Sequence, residues 1–407
     1  MCIFALNCLV MNELRQKFYT KLSELSIETI RDFKNTIDWN NRFIGIKGGR
    51  GVGKTTMILQ HIKQQYNSYE KVLYVSLDDL YFTENKLYDL ASEFYLQGGK
   101  LLALDEVHRY KNWAIELKNI YEDFSNIKLI FTGSSLLHFH KAKADLSRRA
   151  VIYQMPGLSF REYLNFEGVY EFESFSLNDI LNHHVEIAMQ VKAQIRPIEY
   201  FNNYLAHGYY PFYLENKLSF HRKLEEIILT ILEVDIPQFI NIPSANIYYL
   251  KKLLQILSKS VPFKPNMTSL STRTGISLNT LKQYLYLMHD AEIVSLLRSP
   301  IKGINSLNKP EKIYIDNSNM MFALASQQPD KGNIGETFFI NQLKQGHQIY
   351  SSKDVDFIVD EKFHFEIGGR NKTKKQIRNL ENSWIIKDNI EIGYSNVAPL
   401  WLFGFLY

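Results

Sequence analysis

The sequence predicts an α/β fold: a parallel sheet covered by helices, carrying a phosphate-binding loop. Three observations predict it. Residues 43–56 read FIGIKGGRGVGKTT, an apolar run, a glycine-rich loop and the start of a helical pattern. Leu101-Leu102-Ala103-Leu104 is another short apolar run, and it ends in the acid pair Asp105-Glu106. Apolar runs of strand length then recur, near residues 43–47, 72–77, 101–104, 128–132 and 150–154, with helical stretches between them. Runs without polar alternation suit strands buried on both faces. Their alternation with helices argues a parallel sheet with both faces covered.

Taken in order, residues 12–40 come first. Leu14, Phe18, Leu22, Leu25, Ile27, Ile30 and Phe33 recur at helical spacing, so this segment reads as helices packed on the core. The loop follows the strand at 43–47. Gly48, four residues, then Gly53-Lys54-Thr55 is the phosphate-loop pattern of nucleoside triphosphatases. Its chemistry needs these residue types. Gly48, Gly51 and Gly53 let the backbone curl with N–H groups turned inward toward an anion. A helix N-terminus behind the loop adds a favourable dipole. Lys54 brings a mobile charge to the β- and γ-phosphates, and the Thr55 hydroxyl suits Mg²⁺. The nucleotide-contacting set is Gly48, Gly49, Arg50, Gly51, Val52, Gly53, Lys54, Thr55 and Thr56.

The strand at 72–77 stands between the loop and the acid pair in sequence, which marks the branch with a glutamate beside the metal aspartate. At the next strand's end, Asp105 suits the Mg²⁺ shell and Glu106 suits a general base for the attacking water. The strand Lys128-Leu129-Ile130-Phe131 runs into Thr132-Gly133-Ser134-Ser135. A small polar group there suits a sensor of the γ-phosphate, with Ser134 first and Thr132 second. Arg148 and Arg149 precede the strand at 150–154 and are candidates for an arginine that completes a γ-phosphate site. An arginine pair is also an ordinary solvated surface feature.

The loop, LLALDEVHRYKNW, IFTGSS, DLSRRA and PGLSFREYL follow in an order that resembles the prokaryotic AAA-type ATP-binding proteins. These carry a C-terminal domain of unknown function similar to restriction endonucleases. The resemblance covers nearly the whole chain after about residue 12. It implies a P-loop ATPase core using ATP and Mg²⁺. It places the phosphate-loop lysine and threonine at Lys54 and Thr55, and the two acids at Asp105 and Glu106. The first sensor falls near Ser134 and the arginine finger at Arg148 or Arg149.

The remaining chain divides by pattern. Residues 1–40 are an N-terminal helical segment and 41–156 the ATPase core. Residues 157–245 are mainly helical, broken by Pro197, Pro211, Pro237 and Pro243, where an AAA-type lid would sit. Residues 246–306 read as a winged-helix-like domain: a helix-turn-helix pattern around Gly275, then a strand near Ile293–Leu297 that pairs with Lys312–Ile315 as the wing. Lys251, Lys252, Lys259, Lys264, Arg273, Lys282 and Arg298 outnumber Asp290 and Glu292 here, which suits phosphate contacts. Such domains also dock proteins. Residues 307–407 resemble a restriction-endonuclease core, with Glu336 on a helix and Asp356 and Glu366 on a hairpin as a second, degenerate acid set. Where that core has a lysine two residues past the second acid, this chain has Gly368. A basic run follows it: Arg370, Lys372, Lys374, Lys375 and Arg378.

Composition bounds the rest. The chain has 407 residues, enough for several domains, with 45% hydrophobic and 22% charged residues, as in ordinary globular proteins. A net charge of +4 is too weak to argue a partner by itself. Cys2 and Cys8 are the only cysteines, so no disulfide framework is expected. There is no run of eighteen apolar residues, and MCIFALNCLV lacks a basic start and a cleavage site. The expectation is a cytoplasmic ATPase without a membrane partner, its homo-oligomerisation left open. Its nucleotide state would control contact with double-stranded DNA or a protein. The rival readings are an ATP-gated metal-dependent nuclease and a nucleotide-regulated scaffold with little turnover.

Overall fold

The computed structural model describes residues 2–133, 146, 148–237, 242–259, 261–300, 310–325, 327–369 and 380–407. The chain forms two compact units, Met1–Pro156 and Gly157–Tyr407.

The first unit is the α/β P-loop fold that the sequence predicts. Its strands are β1 (Phe43–Lys47), β2 (Val72–Ser76), β3 (Leu101–Asp105), β4 (Lys128–Gly133) and β5 (Val151–Gln154). All pair in parallel, in the order β2-β3-β4-β1-β5. β1, β2 and β3 are buried almost throughout, which is why their sequences show no polar alternation. Helices α1 (Cys2–Glu24), α2 (Lys54–Gln65), α3 (Leu87–Leu96) and α4 (Trp113–Asp123) accompany the sheet. The order refines one expectation. β2, interposed in sequence, lies at a sheet edge. The strand interposed in space, between the loop strand β1 and the acid strand β3, is β4.

The N-terminal segment departs from its pattern. Met11, Leu14, Phe18 and Leu22 are buried at helical spacing on α1, but the helix stops at Glu24 and only a short 3₁₀ turn, Asp32–Thr36, follows. Ile27, read as core, is 44% exposed. The cause is competition for backbone groups. The Ser26 hydroxyl accepts from the Glu28 amide, a local bond that displaces helical pairing. Side chains of α2 take the carbonyls instead: Lys63 donates to Leu22 and Leu25, and Gln60 to Ser26 and Thr29.

The second unit begins with helices α5 (Phe160–Phe166), α6 (Leu177–Gln194), α7 (Pro197–Asn203) and α8 (Phe220–Thr230). Then come α9 (Ser244–Ser258), α10 (Met267–Thr274) and α11 (Leu278–Asp290), followed by the antiparallel pair β6 (Val294–Leu297) and β7 (Lys312–Ile315). Gly275 sits left-handed between α10 and α11 (φ 78°), a turn conformation glycine adopts without steric cost. After α12 (Ser318–Leu324) and α13 (Lys331–Leu343) comes a second sheet, ordered β12-β11-β10-β9-β8. Its strands are β8 (Ile349–Ser351), β9 (Phe357–Val359), β10 (Phe363–Gly368), β11 (Ser383–Lys387) and β12 (Val397–Pro399). β8, β9 and β10 pair antiparallel, and β10, β11 and β12 in parallel.

The PGLSFREYL motif is part of this unit's framework. Ser159 and Glu162 form a capping box at the start of α5. The Ser159 hydroxyl also donates to the Tyr407 main-chain oxygen at 2.7 Å, and Arg161 bonds Tyr407 O and Phe172 O. Phe160 packs edge-on against Phe201 and Phe405. Ser159→Ala removes a cap and a bond that ties α5 to the last strand's extension. It is expected to cost about 2 kcal/mol, read as a lower urea midpoint for the second unit; an unchanged midpoint would remove this framework role.

Candidate nucleotide site

The loop is shaped by glycine at three positions for two different reasons. Gly51 and Gly53 are left-handed, with φ of 87° and 95°. Gly48 is constrained by proximity instead: a Cβ there would lie 2.2 Å from the Met155 carbonyl oxygen, just past β5. Upstream, the buried Arg31 guanidinium donates to Val52 O at 2.8 Å and to Pro156 O at 3.0 Å. It therefore braces the loop from the linker before β1, a role that no local motif announces.

α2 starts at Lys54, so its first-turn N–H groups face the loop. The Lys54 side chain folds back into the curl of the loop. It is buried, at 5% exposure. Its ammonium donates to Gly48 O at 2.9 Å and Gly49 O at 2.7 Å. A buried ammonium has to be paired, and the curled loop supplies the carbonyls.

Asp105 is buried at the end of β3 and takes hydroxyl donors from three elements. Thr55 on α2 donates to Oδ2 at 2.6 Å, Tyr74 on β2 to the same oxygen at 2.7 Å, and Thr132 on β4 to Oδ1. The Thr132 hydroxyl also accepts from the Glu106 amide at 3.1 Å. Thr132 is fully buried. Ser134, the first-choice sensor, lies outside the described residues.

Glu106 leaves the strand in a left-handed conformation, φ 51° and ψ 40°. Burial pushes its carboxyl above the usual range, and neighbouring Asp105 adds to this; Lys54, Arg50 and Arg109 act the other way. His108 Nε2 lies 3.3 Å from Glu106 Oε2. Tyr74 and His108 contact the candidate site and were not singled out from the sequence. Tyr74 stands two residues before Ser76, the register partner of Asp105, so a face-by-face reading of β2 could have found it. His108 had no signal beyond its place two residues past Glu106.

The arginine pair divides. Arg149 donates to Glu122 on α4 from Nε at 3.0 Å and from a terminal nitrogen at 2.5 Å. Arg148 is exposed, on a left-handed turn residue with φ 69°.

In the second unit, the carboxylates of Asp356 and Glu366 both accept from backbone amides across the hairpin. The Glu366 carboxylate accepts from the Asp356 amide at 3.1 Å, and the Asp356 carboxylate from the Ile367 amide at 2.9 Å. Glu336, on α13, accepts from the Tyr314 hydroxyl at 2.6 Å. Among the described residues there is no group of three or more His, Cys, Asp or Glu placed to hold a metal ion. Gly368 pairs in register with Lys387 on β11. Arg370, Lys372, Lys374, Lys375 and Arg378 lie outside the described residues. No described helix is long and apolar enough to cross a membrane.

Strand, glycine loop, helix and a strand-end acid pair around a 5-1-4-3-2 parallel sheet define a P-loop ATPase domain. Residues 40–164 match the family model of the AAA domain, and that segment of the chain is an AAA-type P-loop ATPase domain. Residues 198–331 match a domain of unknown function. An uncharacterised protein of Methanocaldococcus jannaschii is 30% identical, over 61% of this chain and 54% of the relative. The chain thus spans about half that relative's length. Among solved structures, a Walker-type ATPase of Pyrococcus abyssi is similar at 13% identity, covering 74% of this chain and 99% of that one, with a TM-score of 0.39. AMPPCP-bound DnaA of Aquifex aeolicus is 13% identical, covering 64% and 86%, with a TM-score of 0.26.

Lys54→Ala is expected to weaken binding of a fluorescent ATP analogue by roughly 10- to 100-fold, the worth of a charge-assisted hydrogen bond. The far-UV spectrum should stay unchanged. Equal affinity in the two proteins would remove Lys54 from the phosphate cradle.

Proposed function

We propose that the chain binds ATP with Mg²⁺ and hydrolyses it. One observation carries the reading. Lys54, Thr55, Asp105, Thr132 and Glu106 form one contiguous constellation at the ends of β1, β3 and β4. The Thr55 hydroxyl and Asp105 carboxylate, 2.6 Å apart, are hard oxygen donors of the kind Mg²⁺ prefers. When bound, the ion neutralises charge on the β- and γ-phosphates. The loop amides and the α2 N-terminus hold the phosphates, and Lys54 turns from the loop carbonyls to them. Thr132 fixes Asp105 and the Glu106 amide together. Glu106 orients a water and takes its proton.

Arg148 is the better candidate for completing a γ-phosphate site, because Arg149 is engaged by Glu122. A second copy of the chain is the natural recipient of such an exposed arginine.

Glu106→Gln is expected to retain ATP binding and slow turnover by roughly 10²–10⁴-fold. A base must be ionised, and burial raises the Glu106 pKa. Turnover should therefore fall as pH drops through that raised value, above the pH at which an ordinary glutamate would stop it. A Gln variant as fast as wild type, in a steady-state phosphate-release assay, would exclude Glu106 as base.

We infer further that the second unit contacts double-stranded DNA through α10 and α11. The supporting observation is three helices followed by an antiparallel strand pair, with the glycine turn at Gly275. This order of elements supports reading the segment as a winged helix, with one helix of the pair offered to the major groove. The local positive surplus narrows on inspection. Lys251 pairs with Glu233, Lys252 lies near the Tyr248 ring and Arg298 near the Tyr286 ring. Arg273 is exposed on α10, and Lys282 half-exposed on α11. The full chain should bind a duplex with a log–log salt slope of about 0.9 per phosphate neutralised. Arg273→Ala with Lys282→Ala should lower that slope by roughly 2. Fluorescence anisotropy across a salt series measures both; binding that is absent or indifferent to salt would make this surface a protein-docking module.

A further inference from the structure

We propose that His108 is a positioning residue that holds the Glu106 carboxylate in place for proton abstraction. The proposal rests on the reading of Glu106 as the hydrolytic base. The geometry begins with the left-handed backbone at Glu106, which ends β3 abruptly. The chain then closes a 3₁₀ turn, Val107–Arg109, secured by the Arg109 amide donating to Glu106 O at 2.9 Å. That turn brings residue 108 back over residue 106. His108 Nε2 comes to 3.3 Å from Glu106 Oε2, and the imidazole is wholly enclosed.

Glu106 is thereby held at both ends. Its amide is fixed by the Thr132 hydroxyl on β4, and its carboxylate meets an imidazole from its own turn. The other charges around it are Lys54 on α2, Arg50 on the loop, Asp105 beside it and Arg109 on the turn. These contribute to the field at the carboxylate. A glutamate side chain has three rotors, and one left free to turn loses much of its advantage as a base, because a misplacement of about 1 Å costs on the order of 10²-fold. The groups that grip phosphate and metal, Lys54, Thr55 and Asp105, have partners of their own. Loss of the imidazole should therefore appear in kcat and leave nucleotide affinity alone.

The experiment compares wild type, His108→Ala and His108→Gln as full chains. ATP turnover with Mg²⁺ is measured beside affinity for a fluorescent ATP analogue. His108→Ala is expected to lose roughly 10- to 100-fold in kcat, with KM and analogue affinity unchanged. His108→Gln offers an amide N–H at similar reach and should recover part of the loss. In nucleotide-free protein with ¹⁵N-labelled histidine, the His108 Nε2 resonance should move on Glu106→Gln. Wild-type kcat in His108→Ala, or an unmoved Nε2 resonance, would overturn the proposal. So would a loss of affinity that parallels kcat and is not recovered by Gln. If His108→Ala fails to fold, the Gln variant and the resonance decide. A wild type that binds the analogue but turns over no ATP would sink the hydrolase reading, and this proposal with it; turnover in wild type with an unaffected Ala variant sinks this proposal alone.

Discussion

One buried carboxylate organises the first unit. Asp105 is an acid at a strand end, enclosed by the sheet, and its charge costs several kcal/mol to bury without donors. Hydroxyls from Thr55, Tyr74 and Thr132 meet that need, each from a different element. The phosphate-loop helix, an edge strand and the interposed strand are thus tied to one group. The same contacts leave Thr132 able to receive the next amide along, that of Glu106. The spacing of the candidate metal ligand and the candidate base is therefore set by a hydrogen-bond chain as well as by the backbone.

The order of strands explains why Thr132 has this role. β4 lies between β1 and β3, so its end emerges midway between loop and acids. A side chain there reaches the Asp105 carboxylate and the Glu106 amide without having to be long. β2, although nearer in sequence, reaches the site only through a tyrosine's length. The second unit is built on a different principle. Its motif PGLSFREYL and the last residues of the chain are joined through Ser159, Arg161 and Tyr407, across about 250 positions of sequence.

What was legible in the sequence is what is local. The loop glycines, Lys54, Thr55, Asp105 and Glu106 sit in short patterns whose chemistry is contained within a few residues. The β–α alternation revealed the sheet because buried parallel strands carry no polar residues to interrupt them. Contacts set by closure of the sheet were not legible. Tyr74 and Arg31 act across tens of residues, and Thr132 gained its rank from a strand order that no local pattern encodes. The burial of Lys54 was not legible either, because it depends on the Gly48 and Gly49 carbonyls that the curled loop presents. The helical reading beyond Glu24 failed for a related reason: Gln60 and Lys63, from another helix, claim the carbonyls that a continued helix would have used. The hairpin of β9 and β10 was readable, since strand patterning flanks a tight turn. The cross-bonding of Asp356 and Glu366 was not.

The close approach of Gly48 to the Met155 carbonyl bears on how this domain can vary in length. Two stretches more than a hundred residues apart meet there with no room for a single methyl group. Met155 is placed by its amide bond to Lys47 O, at 2.7 Å. The point where β5 ends is thus registered to the point where the loop begins. Substitutions in β5 leave that registration in place, since it is carried by main-chain pairing with β1 from Val151 to Gln154. An insertion or deletion between β5 and Pro156 would instead slide a carbonyl against the loop's first glycine. At this contact the length of the domain is fixed to the residue.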